Sequence, residues 1–167
     1  MVQEKDNVGQ MGMALALLRI TLGVIILVTW YDNLRSGLYT ADGLVGFFNW
    51  LFDAENGNGS SLLFVKSYLD TFIVPIAGPF AAFQMIAELT MGLALLLGVI
   101  TRLFSLAAIF FFINVLLSYF GGHEWIWTYV LLIMSAVTLL VGAAGRKWGI
   151  DSLFLKRWDE PQVPLLW

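Results

Sequence analysis

The stretch FQMIAELTMGLALLLGVITRL, residues 83–103, decides the fold. It is almost wholly apolar and long enough to cross a bilayer, whose hydrocarbon core takes about 20 helical residues. Lipid offers the backbone no hydrogen bonds, so such a segment is a helix rather than an open strand. One carboxylate, Glu88, sits near its middle. A lone charge at that depth costs about 3 kcal/mol or more, which raises the question of what Glu88 is for.

The pattern recurs along the chain. The 167 residues are 59% hydrophobic with a mean hydropathy of +0.81. A soluble domain is about half apolar, so lipid is the expected solvent for much of this surface. The length points to one domain, residues 1–167. Four apolar runs approach bilayer length, at about 11–30, 79–100, 103–120 and 125–144, before a tail at 145–167. The expected fold is all-α and integral to the membrane: a four-transmembrane-helix bundle with an extracytoplasmic amphipathic and aromatic segment between spans one and two. The first run is too long for a signal-peptide core and reads as retained.

Basic residues set the expected orientation. Lys5, Arg102, Arg146, Lys147, Lys156 and Arg157 fall on the side of the termini, against Arg35 and Lys66 on the other. Both termini are therefore expected in the cytoplasm, with the chain in the plasma membrane. On the outer side, GLVGFFNWLF (43–52) and LLFVKSYLDTFIVPI (62–76) read as surface-lying or bundle-capping segments. Between them DAENGNGSS (53–61) reads as a flexible tip. It lacks the acidic twelfth residue of a calcium loop, where Phe64 stands. Asn58-Gly59-Ser60 fits a glycosylation acceptor, a pattern too common to carry weight. Trp30, Trp50, Trp125 and Trp127 are expected in an outer aromatic belt, with Trp148 and Trp158 near the inner interface.

Several function classes drop out. Cysteine is absent, which excludes disulfides, thiolate metal sites and thiol catalysis. The formal charge of −3 and the lack of a basic stripe argue against nucleic acid. No metal site, Rossmann or P-loop signature is present, and no intrinsic cofactor is evident.

What remains is a set of polar groups inside apolar helices. Glu88 lies 14 residues from Arg102, roughly 21 Å of helix rise. Arg19 lies nine residues from Gln10, about 14 Å, and Asn114 lies 12 from Arg102, about 18 Å. These depths suggest a common site of Arg19, Gln84, Glu88 and Asn114, with Arg19 and Glu88 paired. Small and polar residues share faces: Gly12, Ala16, Arg19 and Gly23; Gln84, Glu88 and Gly92; Asn114 and Ser118; Thr128, Ser135, Thr138 and Gly142. Four such stripes are expected to meet inside a bundle. They serve either as packing contacts, often worth below about 1 kcal/mol each, or as a site for an anion, a proton or a polar head group such as that of a quinone. Arg35, Lys66 and His123 are candidate contacts for an anion on the outer side, though acidic residues crowd the same side.

Taken in order, LLRITLG, ELTMGLALLLGVITRL, a polar residue in the third span and GRKWGIDSLF resemble the DoxX-like membrane proteins. The long outer segment makes the chain more similar to the DoxD branch, the small subunit of thiosulfate:quinone oxidoreductase. The resemblance runs from about residue 14 to 154. It implies a four-helix membrane bundle and thiosulfate oxidation with electrons passed to quinone. The resulting expectation is a small integral subunit of an electron-transfer assembly, with quinone as its ligand and other membrane subunits or further copies of the chain as partners in the bilayer. The alternative is a non-catalytic accessory subunit that docks and stabilises a larger respiratory or photosynthetic complex. A small transporter with Glu88 as proton relay is a third reading, set back by the lack of broken helices.

Overall fold

A computed structural model describes the backbone of residues 2–153 and the side chains of 9–153. Lys156, Arg157, Trp158 and the rest of the expected tail beyond residue 153 lie outside the described residues, as does the side chain of Lys5. The described chain is 80% helix without strands. Its helices are α1 (Val2–Ser36), α2 (Ala41–Phe52), α3 (Leu63–Tyr68), α4 (Ala77–Leu97), α5 (Thr101–Tyr119) and α6 (Trp127–Gly142). Three helical runs are long and apolar enough to cross a membrane: Gly9–Ser36, Leu63–Leu97 and Thr101–Tyr119. The fourth, α6, is apolar but shorter at 16 residues.

The expected boundaries shift for local reasons. The first helix runs on from residue 30 to Ser36 because nothing breaks it before Gly37, which takes φ +80°. There the Leu38 amide donates back to Asn33 O at 3.0 Å and the Gly37 amide to Leu34 O at 3.3 Å. This is a Schellman ending, which glycine serves at no steric cost. The second helical run begins at Leu63 rather than 79, because the expected amphipathic segment is continuous with the span. Pro75 lacks an amide and its ring crowds the carbonyl four residues back. The ladder widens to a π turn over Leu69–Ile73, with Val74 N donating to Leu69 O, before α4 resumes. The run ends at Gly98, φ +70°.

Helices α1 and α4 pack together most extensively, as do α5 and α6, and α1 also lies against α6. Gly23 allows the first pairing: a Cβ there would stand 2.6 Å from the Leu96 amide nitrogen. Close backbone approach of this kind is how membrane helices gain packing energy. The bundle core holds Leu22, Ile26, Met91, Leu95, Ala108, Phe112, Ala136 and Leu139. A second core lies at one end, where α2 folds back on α3 and the start of α4 through Leu44, Phe48, Val65, Leu69, Ile73, Ala77 and Ala81. We call this the hairpin end, and the other, with residues 98–101 and 142–153, the tail end.

The expected flexible tip is a clasp. Asn58 is 2% exposed. Its Nδ2 donates to Ser60 Oγ at 2.8 Å, its Oδ1 accepts the Glu124 amide at 3.1 Å, and its carbonyl accepts the His123 amide at 2.9 Å. A polar side chain with this many local partners orders a loop that composition alone reads as free. Trp50, Trp125 and Trp127, expected in the outer belt, and Trp148, expected near the inner interface, are exposed. Trp30 instead turns inward and donates from Nε1 to Met85 O at 3.0 Å.

Candidate functional site: a buried carboxyl beneath the hairpin

Glu88 lies midway along α4 and is 2% exposed. Gln84, one turn nearer the hairpin end, donates from Nε2 to Glu88 Oε1 at 2.8 Å. Tyr39 donates its hydroxyl to Oε2 at 2.8 Å, and Asn33 of α1 approaches the same oxygen from Nδ2 at 3.4 Å. The carboxyl is thus held by three neutral donors, and no ion pair to it forms among the described residues.

The turn after α1 explains how Tyr39 reaches the bundle. The Gly37 ending reverses the chain, and Thr40 then caps α2: its Oγ1 accepts the Gly43 amide at 3.1 Å and donates to Gly37 O at 2.8 Å. Tyr39, between two fixed points, is half-buried over Glu88. Burial, then the hydrogen bond to Glu88 and its charge, push the Tyr39 phenol well above its usual range, so it stays protonated.

Arg19 is not part of this cluster. It is fully buried at the tail end. Nη1 donates to Leu95 O at 2.9 Å and Leu96 O at 3.3 Å, and Nη2 to Trp148 O at 3.0 Å. A helix leaves its last carbonyls unpaired, and here each finds a donor. Ala94 O accepts the Gly98 and Val99 amides, and Leu97 O accepts the Ile150 amide. The first amides around α5 go to Asp151, whose Oδ1 accepts Ile100 N at 2.6 Å and Oδ2 accepts Thr101 N at 2.9 Å. Ile100, Ala143 and Trp148, the non-glycine residues with positive φ among those described, all lie in this knot. Gly98, Gly145 and Gly149 leave it room, since a Cβ at each would run into Arg19, Asp151 or Gly145. Gly98, Thr101 and Asp151, which lie within the stretches ELTMGLALLLGVITRL and GRKWGIDSLF that help carry the sequence resemblance, therefore belong to one helix-capping device.

The expected convergence is thus corrected. Gln84 and Glu88 are brought together, whereas Arg19 lies two turns away along α4, and Asn114 is exposed and donates to Phe110 O on its own helix at 2.8 Å. Tyr39 and Asn33, missed from the sequence, take the places assigned to Arg19 and Asn114. The outer anion candidates have separate surroundings. Arg35 is exposed and stands over the Tyr31 ring, Lys66 pairs with Asp70 at 2.6 Å, and His123 is exposed in the turn after α5. Among the described residues no cluster of His, Cys, Asp and Glu has the makings of a metal site.

No solved structure matches this chain. The family described as TQO small subunit DoxD matches residues 56–167, which include Glu88, the α4–α5 turn and Asp151. With more than half of its length matched and its helices apolar enough to span a bilayer, the chain is an integral membrane protein and belongs to the DoxD family.

Proposed function

We propose that this protein is a small subunit of a thiosulfate:quinone oxidoreductase-type assembly, in which Glu88 is the proton-carrying group of a quinone-linked site. The reading takes four spans, with the hairpin on the outer side and both termini in the cytoplasm. Membership of the DoxD family supports the assembly. The observation that carries the site is the company Glu88 keeps: buried, and held by Gln84, Tyr39 and Asn33 rather than by a cation. A buried Arg partner would hold the carboxyl ionised. Neutral donors support the charge without fixing it, so a proton can come and go. Quinone reduction consumes protons as well as electrons, and an intramembrane carboxyl is the natural store for them.

Glu88→Gln in the assembled complex tests this. The amide keeps the shape but carries no exchangeable acid. Thiosulfate-dependent quinone reduction is expected to fall by about 100-fold, the lower range for losing a general acid, while the subunit still assembles. Unchanged turnover in a fully assembled variant overturns the reading.

A further inference from the structure

The two flanks of Glu88 along the bundle differ. Towards the tail end come Met91, Gly92 and Leu95 of α4, facing Leu22, Gly23 and Ile26 of α1. Met91 is 4% exposed, Leu22 1% and Leu95 0%. A Cβ on Gly92 would already meet Leu27 at 2.8 Å, so the helices are in contact there. Seven residues separate Glu88 from Leu95, about 10 Å of helix rise. A buried water needs two or more polar partners; the buried hydroxyls of Thr101 and Ser105 lie at the start of α5, towards the tail end, and Met91, Leu95, Leu22 and Ile26 supply none. Beyond them stands the Arg19 guanidinium, which repels a proton arriving from that side.

Towards the hairpin end the path is polar. Gln84, Asn33 and Tyr39 all approach Glu88 from there, and all three are half-buried rather than sealed. Tyr39 is the titratable group bonded to Glu88. Of the other ionisable groups on neighbouring elements, Asp32 and Arg35 on α1 and Asp42 on α2 are exposed, Arg102 on α5 lies at the tail end, and the buried Asp151 carboxylate beside Arg19 there accepts the Ile100 and Thr101 amides.

From this asymmetry we infer that Glu88 exchanges its proton with the hairpin side alone, and that Tyr39 is the residue through which the proton passes. In the loading step Glu88 Oε2 takes the Tyr39 hydroxyl proton while the Tyr39 oxygen takes one from water on the hairpin side. Unloading runs the same hops in reverse, and no phenolate need accumulate. The inference deepens the quinone-linked reading and rests on Glu88 as its proton carrier. It also gives that reaction a direction, since protons for the site are drawn from the side that carries α2 and α3.

The test is infrared spectroscopy of the full-length protein in vesicles of uniform orientation. The Glu88 carboxyl band is assigned by its loss in Glu88→Gln. A pH jump imposed on the hairpin side is expected to change the band promptly, and the same jump on the tail side only after the gradient leaks across. Tyr39→Phe is expected to slow the response at least ~10-fold, a modest share of what a positioned proton-transfer group contributes. Prompt response to tail-side pH, an unchanged rate in Tyr39→Phe, or a band that no external pH moves would each overturn the inference. The wild-type jump needs no variant to fold, and no quinone is present. Loss of turnover in Glu88→Gln with a tail-side response would therefore sink the sidedness and spare the quinone reading. A hairpin-side response with undiminished turnover in Glu88→Gln would do the opposite.

Discussion

Arg19 Nη1 donates to the carbonyl of Leu95 at 2.9 Å, two turns along α4 from Glu88, whose oxygens are held by Gln84 and Tyr39. Arg19 and Glu88 therefore belong to separate devices with no shared hydrogen-bond partner. Removing one strands nothing in the other. Arg19→Met leaves the Leu95, Leu96 and Trp148 carbonyls without their donor and, at about 1–3 kcal/mol for each unsatisfied buried acceptor, is expected to cost about 3 kcal/mol or more. Glu88→Gln keeps most of its hydrogen bonds and is expected to cost about 1 kcal/mol. In the double variant the losses should add to within about 0.5 kcal/mol, as they do for distant sites. Thermal or denaturant unfolding of the detergent-solubilised protein measures this. A double variant more stable than Arg19→Met alone would mean the charges are coupled after all.

The tail-end knot makes its own prediction. Asp151 accepts two amides, one on each oxygen, at the start of α5. Asparagine offers one acceptor oxygen where aspartate offers two, so Asp151→Asn should cost about 1–2 kcal/mol, the range for a lost helix cap. Gly145→Ala should be worse, because its Cβ would overlap the Asp151 carboxylate and the Thr101 hydroxyl. Folded yield after solubilisation should fall in the order wild type, Asp151→Asn, Gly145→Ala. Equal yields for wild type and Gly145→Ala would show that the knot is looser than drawn.

Much of this architecture was legible in the sequence, and the errors have physical causes. Apolar run lengths located the helices because lipid forces the backbone to pair with itself. The depths failed because their rulers began in the wrong place. Gln10 lies inside α1, which starts at Val2, and residues 98–100 are a turn that adds little rise. Two polar stripes also misled. Asn114, Ser135 and Thr138 each donate to the carbonyl four residues back on their own helix. Short polar side chains satisfied in this way can face lipid, so their alignment says nothing about the bundle interior. Tyr39 had a readable signal, since Ser36-Gly37 announces a helix end and Thr40 a new cap. That its ring turns back onto Glu88 depends on the tertiary fold.

The clasp is expected to loosen in acid. The Asp53 carboxylate accepts the Asn56 and Glu55 amides at 3.1 and 2.9 Å, which hold its carboxyl below the usual range. A depressed folded value means the stabilisation is present above the unfolded pKa, near 3.9, and is lost as pH falls through the folded one. Amide protection at Asn58 and Gly59, whose donors reach Trp50 and Asp53 carbonyls, should therefore drop only below about pH 4. In Asp53→Asn that step should vanish. Protection that declines already near neutrality would assign the clasp to some other group.

Orientation can be read directly because the chain has no cysteine to remove. Among the described basic residues, Arg102, Arg146 and Lys147 gather at the tail end, while the hairpin end has Arg35 and Lys66. Lys66 is already matched by Asp70 at 2.6 Å, so the hairpin end has few basic charges among its acidic residues. The excess of Lys and Arg stays cytoplasmic, so the hairpin is expected outside. Ser60 is a poor reporter, since it is 7% exposed and bonded to Asn58. Glu55 and Leu153 are exposed at the two ends. In intact cells a membrane-impermeant maleimide should label Glu55→Cys, and should label Leu153→Cys only after permeabilisation. The reverse pattern would place the hairpin in the cytoplasm. Glu88 would then draw its protons from the cytoplasm through Tyr39, with the path intact and its direction across the membrane inverted.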